Sequence, residues 1–174
     1  MEVYLVRHTE TVCEKGICYG QADVEIQEDY LPLFESIKKE IPEDAIVYSS
    51  PLKRCVILAN YISKGNFKTD SRLMEMNFGD WELKKWNDIP EDEINPWMQD
   101  FVNVSVLNGE SFVELYERVN TFFDEIKKTN PSKPVVIITH AGVIRSALCK
   151  ISKLPLKDAF QNKVNFGEVK KMNF

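Results

Sequence analysis

A chain of 174 residues, 44% hydrophobic and 28% charged, has the make-up of an ordinary globular domain and is long enough to bury a substantial core. Its 22 basic and 27 acidic side chains leave a net charge of −5, which argues against general nucleic-acid binding, so any bound anion must be held by a local cluster. Four cysteines (Cys13, Cys18, Cys55, Cys149) form no Cys-x-x-Cys pair and, with only two histidines, no zinc pattern. No apolar run reaches membrane-spanning length and Met1 leads directly into the first strand, so a cytoplasmic protein with reduced thiols is expected.

In chain order, Val3-Tyr-Leu-Val-Arg-His-Thr-Glu-Thr11 opens as a short buried strand that runs into Arg7 and His8. Residues 12–27 read as a loop punctuated by Gly16 and Gly20. Tyr30, Phe34, Ile37 and Ile41 recur at helical spacing and Pro42 ends that helix. Ala45-Ile-Val-Tyr-Ser49 is a second strand, followed by Ser50 as N-cap and Pro51 at the first position of a helix that runs to about Ile62 with Lys53 and Arg54 in its first turn. A short strand over 67–70 leads into a stretch, 71–109, that contains all three tryptophans (Trp81, Trp86, Trp97). Nine acids lie between Glu75 and Glu110, against Arg72, Lys84 and Lys85. A stretch of that length without clear periodicity is expected to be an inserted lid, with a short helix over 91–101 interrupted by Pro96.

Ser111-Phe-Val-Glu114 is a capping box, and Phe112, Leu115, Val119, Phe122 and Ile126 mark an amphipathic helix that ends near Asn130-Pro131. Val135-Val-Ile-Ile-Thr-His140 repeats the opening pattern of a β-branched run into a histidine, and a helix follows over 142–151. Residues 162–174 read as a final edge strand or hairpin. Strands alternating with helices indicate an α/β fold, a three-layer sandwich with a mainly parallel sheet, in one domain over 1–174.

Ligands of such sheets bind outside the carboxyl ends of the strands. Arg7, His8, Arg54, His140 and, from the lid, Glu75 are the groups expected to converge there. Arginine forks match phosphate oxygens and helix N-termini attract anions. An imidazole can attack phosphorus, a protonated second histidine with the arginines can neutralise the equatorial oxygens, and a carboxylic acid can protonate the leaving alkoxide. Adjacent strand residues point to opposite faces, so Arg7 and His8 can share a ligand only where the chain has left the sheet.

These residues resemble the histidine phosphatase superfamily, also called phosphoglycerate mutase-like. Leu5-Val-Arg7-His8-Thr9-Glu10-Thr11 is similar to its Arg-His-Gly signature and Ser49-Ser50-Pro51-Leu52-Lys53-Arg54 to its second-strand motif. Leu73-Met-Glu75-Met-Asn-Phe78-Gly79-Asp-Trp81-Glu82 is similar to its lid motif, Asn108-Gly109-Glu110-Ser111 to the start of its long helix, and Thr139-His140-Ala141-Gly142-Val143-Ile144-Arg145 to its second histidine motif. All stand in family order. The resemblance implies His8 as nucleophile, Glu75 as proton donor, and Arg7, Arg54 and His140 as the phosphate pocket, with no metal and no cofactor. Gly16-Ile-Cys18-Tyr19-Gly20-Gln21-Ala-Asp23 further resembles the α-ribazole phosphatase branch, which implies α-ribazole 5′-phosphate as substrate and Tyr19, Gln21 and Trp81 as candidate contacts to it.

Two positions depart from the family. Thr9 replaces a glycine, and Glu14 stands where many members place a phosphate-binding asparagine. A carboxylate facing a phosphate is repulsive, so Glu14 is expected to point away, with Gln21 or a backbone group in its place. Lys53, Lys84 and Lys85 read as solvated charges, Arg145 as a brace, the cysteines as small buried groups. The lid tryptophans read either as packing or as a stacking surface for an aromatic leaving group. A metal-dependent hydrolase built on the two histidines and Glu75, a broad-specificity phosphatase, a phosphoglycerate mutase and a non-catalytic binder of a phosphorylated ligand remain as alternatives.

Overall fold

The two apolar runs that end in histidines lie side by side. In the computed structural model, which describes residues 1–129 and 131–173, β1 (Glu2–Arg7) pairs in parallel with β4 (Val135–Thr139), placing Arg7 opposite Thr139. β2 (Ile46–Ser49) pairs in parallel with the other side of β4, and β3 (Phe67–Thr69) with β2. β5 (Val169–Asn173) runs antiparallel to β1, completing the order β3-β2-β4-β1-β5. Because β1 and β4 are interior, both of their faces must be apolar. That is why they read as unbroken runs and not as alternating ones.

Side chains along each strand divide between two cores. Val3, Leu5, Val135 and Ile137 face α4 (Phe112–Lys128) and α5 (Ala141–Ser152), where they meet Leu115, Val119, Val143 and Ile144. Tyr4, Val6, Val136 and Ile138 face α1 (Leu31–Glu40) and α2 (Lys53–Ser63), where they meet Phe34, Ile37, Cys55 and Leu58. The expected three-layer α/β sandwich is the observed architecture.

Several boundaries differ from expectation for identifiable reasons. The second helix starts at Lys53, with Leu52 and not Ser50 at its N-cap. Ser50 still belongs to the sheet, since its N–H donates to the Ile138 carbonyl at 2.9 Å. Ser111 and Glu114 form the expected capping box, and α4 ends at Lys128; the expected stop at Asn130 lies outside the described residues. Residues 71–109 hold 3-10 turns at Ser71–Leu73, Gly79–Trp81 and Trp86–Asp88, then α3 (Glu91–Gln99), which continues through Pro96. The segment is anchored by its own apolar side chains, because Met76, Trp81, Ile89 and Val106 join the α4–α5 core.

At the C-terminal end, only Val169–Asn173 of the expected 162–174 strand pairs with the sheet, and Phe174 lies outside the described residues. A 3-10 helix, Leu156–Gln161, precedes it, and 162–168 form a strap across the carboxyl edge of β1. The strap is not a strand because its backbone bonds elsewhere. The Asn162 and Val164 carbonyls accept from arginine side chains, and the Gly167 N–H donates to the His8 carbonyl at 3.1 Å. Gly167 has φ +68°, and a Cβ there would stand 2.7 Å from Leu33 Cδ2, so a side chain meets both strain and contact.

Candidate active site

β1 ends at Arg7, and His8 follows with its N–H on the Thr139 carbonyl at 3.0 Å, which fixes it at the carboxyl edge of the sheet. It is 2% exposed. Its Nδ1 lies 2.7 Å from the Thr9 carbonyl. A carbonyl only accepts, so Nδ1 carries the proton and Nε2 keeps its lone pair. Burial, aided by the Arg54 and Arg7 charges and opposed by the Thr9 carbonyl, pushes its pKa down to about 3. The ring is therefore neutral, the state in which an imidazole attacks an electrophile.

His140 follows β4 in the same way, its ring centroid 5.1 Å from that of His8. Arg54 Nε donates to His140 Nδ1 at 3.3 Å, which leaves the proton on Nε2, 2.8 Å from Ser50 Oγ. Burial first, then the neighbouring His8 and Arg54, holds His140 well below the ordinary histidine range. This corrects the expectation of a protonated second histidine: His140 is a neutral donor aligned by Arg54 and Ser50. Arg54, 0% exposed, also donates Nη1 to the Ala22 carbonyl at 2.8 Å and Nη2 to the Gly20 carbonyl. Among the described residues, those contacts use three of its five N–H groups.

Arg7 is held by the strap. Its backbone N–H reaches the Glu168 carbonyl at 3.1 Å, its Nη1 reaches the Val164 carbonyl at 2.7 Å, and the Phe166 ring covers the guanidinium at 3.7 Å. Its Nε is buried without a partner among the described residues. Phe166 also packs against His8, centroid to centroid 5.6 Å. β1 ends at Arg7, so His8 lies just past the strand, and the strap holds the Arg7 guanidinium within electrostatic reach of His8.

Glu75 arrives from the segment after β3. Its carboxylate accepts from Met76 N at 2.9 Å and from Gly142 N, 3.1 Å from each oxygen, at the start of α5. A Cβ on Gly142 would stand 2.2 Å from Glu75 Oε1, so any side chain there must displace the Glu75 carboxylate. Arg118 secures the chain below: its guanidinium donates to the Arg72, Met74 and Glu75 carbonyls at 2.7–2.9 Å while pairing with Glu110 at 2.7 Å.

The three candidate substrate contacts separate. Tyr19 borders the pocket, with its hydroxyl 3.0 Å from Thr11 Oγ1 and its ring 5.5 Å from the Arg54 guanidinium. Gln21 Nε2 donates one of its two N–H groups to the Glu75 carbonyl at 3.0 Å. Trp81 is sealed: 1% exposed, its Nε1 on Glu93 at 2.8 Å and its ring against Trp86 and Trp97. The stacking role expected of it is excluded, because apolar contacts inside the segment have taken its surface. Glu14 is exposed, as its charge required. The sequence pattern marks Ser50 only as a cap and Glu82 only as part of a motif. Yet Glu82 accepts from the backbone N–H groups of Gly20, Gln21, Ala22 and Phe78 at 2.9–3.0 Å, tying the Tyr19 loop to the 71–109 segment. Arg118 and Phe166 carried no local signal.

Both histidines are neutral when folded and take up protons near pH 6.5 when unfolded. For His8 the unfolded state therefore binds more protons between pH 6.5 and about 3, and stability falls as pH falls; His140, also lowered, acts in the same direction. Lowering pH from 7 to 5 is expected to cost about 2 kcal/mol through His8, with a loss of the same sign through His140, read from urea unfolding at the two pH values. A flat profile would mean that the folded imidazoles are charged.

Over residues 3–174 the chain matches the histidine phosphatase superfamily (branch 1). It is 25% identical over 177 residues to the adenosylcobalamin/alpha-ribazole phosphatase of Salmonella typhimurium, spanning 96% of this chain and 87% of that protein. It is 29% identical over 164 residues to the metal-independent phosphoserine phosphatase of Arabidopsis thaliana, spanning 87% and 69% respectively. The crystal structure of the alpha-ribazole phosphatase from Shigella flexneri shares the fold, with a TM-score of 0.89 at 21% identity over 99% of this chain and 90% of that one.

Proposed function

Because this chain belongs to the histidine phosphatase superfamily, we propose that it is a cytoplasmic phosphatase that hydrolyses small phosphomonoesters through a phosphohistidine on His8, with α-ribazole 5′-phosphate as its substrate. The observation that carries the chemistry is the unprotonated Nε2 of His8, set beside donors on Arg7, Arg54 and His140. In the first step the Nε2–phosphorus bond forms and the ester P–O bond breaks, while Glu75 delivers its proton to the departing oxygen. In the second step Glu75 takes a proton from water, which attacks phosphorus and releases His8. Arginine N–H groups gain most on the equatorial oxygens in the transition state, where charge is spread over them. No metal or cofactor enters either step, and residues 71–109 act as a lid within one domain, 1–174.

Hydrolysis is favoured over phosphate transfer between hydroxyls by the fate of the basic residues in that segment. A mutase must hold a second phosphate, but Arg72 is paired with Asp70 and Glu125 at 2.6 and 2.7 Å, and Lys84 and Lys85 are exposed. Support for α-ribazole 5′-phosphate comes from the Salmonella relative and the Gly16–Asp23 motif; the packed tryptophans no longer contribute to it. The test is turnover after exhaustive EDTA treatment on α-ribazole 5′-phosphate, O-phosphoserine, a nucleoside monophosphate and 3-phosphoglycerate. Full activity with the first preferred is expected. Loss with EDTA would sink the metal-independent chemistry, and net 3-to-2 transfer on phosphoglycerate would restore the mutase.

Replacing Gly142 with alanine provides a separate check on Glu75. The added Cβ displaces the carboxylate, so kcat on alkyl phosphates is expected to fall roughly 10²-fold, within the range for loss of a proton-transfer group. An unchanged kcat would show that the Gly142 contact is dispensable.

A further inference from the structure

Arg145 lies three residues beyond Gly142 on α5, so it shares a helix face with the amide that holds Glu75. Its Nε donates to the Asn162 carbonyl at 3.2 Å, and Arg7 Nη1 donates to the Val164 carbonyl two residues further along. Two guanidiniums are therefore docked on one strap, and both lie within electrostatic reach of Glu75. The Arg145 terminal nitrogens make no hydrogen bond among the described residues, although the side chain is half-buried.

The guanidinium lies 4.9 Å from the centroid of Phe160, which is 55% exposed and itself supported edge-on by Phe101 at 4.9 Å. An exposed phenylalanine alone is unremarked surface. Here the ring is held by a second aromatic and lies beside the open donors of an arginine that shares the strap with Arg7. A guanidinium and an aromatic ring together suit a flat partner, one offering donors to sugar oxygens and the other a stacking face.

We propose that Arg145 and Phe160 form the subsite for the leaving alcohol and that they read a nucleoside-like group, with ribose oxygens on the Arg145 terminal N–H groups and the planar base on the Phe160 ring. This rests on hydrolysis at His8 and names the part of the site that the lid tryptophans do not supply.

The experiment compares kcat/KM for α-ribazole 5′-phosphate with that for glycerol 3-phosphate in wild type, Arg145→Met and Phe160→Ala. The methionine keeps an unbranched stem against the ring and removes the donors. The ratio is expected to fall at least tenfold in each variant, chiefly through KM. In wild type, the free riboside should inhibit p-nitrophenyl phosphate hydrolysis competitively at concentrations where glycerol does not, a measurement independent of variant folding. A ratio unchanged within twofold, or no inhibition by the riboside, overturns the subsite. So does Arg145→Met selectively impairing O-phosphoserine, which would make the arginine a carboxylate reader. Failure of wild type on every ester would instead overturn the phosphatase reading itself.

Discussion

His8→Ala is expected to lower kcat by on the order of 10⁴-fold or more on every phosphomonoester, because it removes the atom that bonds to phosphorus. The Nδ1 contact with the Thr9 carbonyl leaves Nε2 as the only lone pair of that ring available for attack. Rapid quenching of wild type during turnover should trap an acid-labile, base-stable phospho-enzyme that the variant lacks. Because His8 remains neutral down to about pH 3, its own titration should produce no acid limb in kcat/KM between pH 5 and 8. Near-normal turnover by His8→Ala would refute covalent catalysis at this residue, whatever the pH profile showed. Vanadate, which adopts the pentacoordinate geometry of the transition state, should inhibit wild type and bind the variant more weakly.

Glu75→Gln should slow alkyl phosphates by roughly 10²–10⁴-fold, the usual contribution of a positioned general acid. It should slow p-nitrophenyl phosphate far less in the first half-reaction, since that leaving group departs with little proton help. The glutamine can still accept from Gly142 and Met76 through its carbonyl oxygen, so the substitution tests the proton more than the position. Equal losses on the two ester classes in single-turnover kinetics would argue that Glu75 acts only by charge or geometry. Comparison with Gly142→Ala separates those two, because that variant keeps the acid and moves it.

Much of the architecture follows from local chemistry. Strands buried on both faces must be apolar throughout, so Val3–Val6 and Val135–Ile138 read as strands of a parallel sheet with their histidines at its carboxyl edge; that the two strands are neighbours is decided by the tertiary structure. The capping box at Ser111 and the helical spacing from Phe112 to Ile126 were legible for the same reason: a turn of helix is encoded within four residues. What could not be read is whatever depends on contacts far apart in the chain. Arg7 meets the Val164 carbonyl across 157 positions, and Glu75 meets Gly142 across 67. No periodicity announces such a pair, because periodicity records which face is buried and not against what. The proton positions on His8 and His140 are of the same kind, decided by a carbonyl and an arginine that folding brings to each ring. Trp81 shows the reverse error. An aromatic in an irregular segment reads equally well as a ligand surface or as core, and only the packing of Trp86, Trp97 and Glu93 around it assigned it to the core.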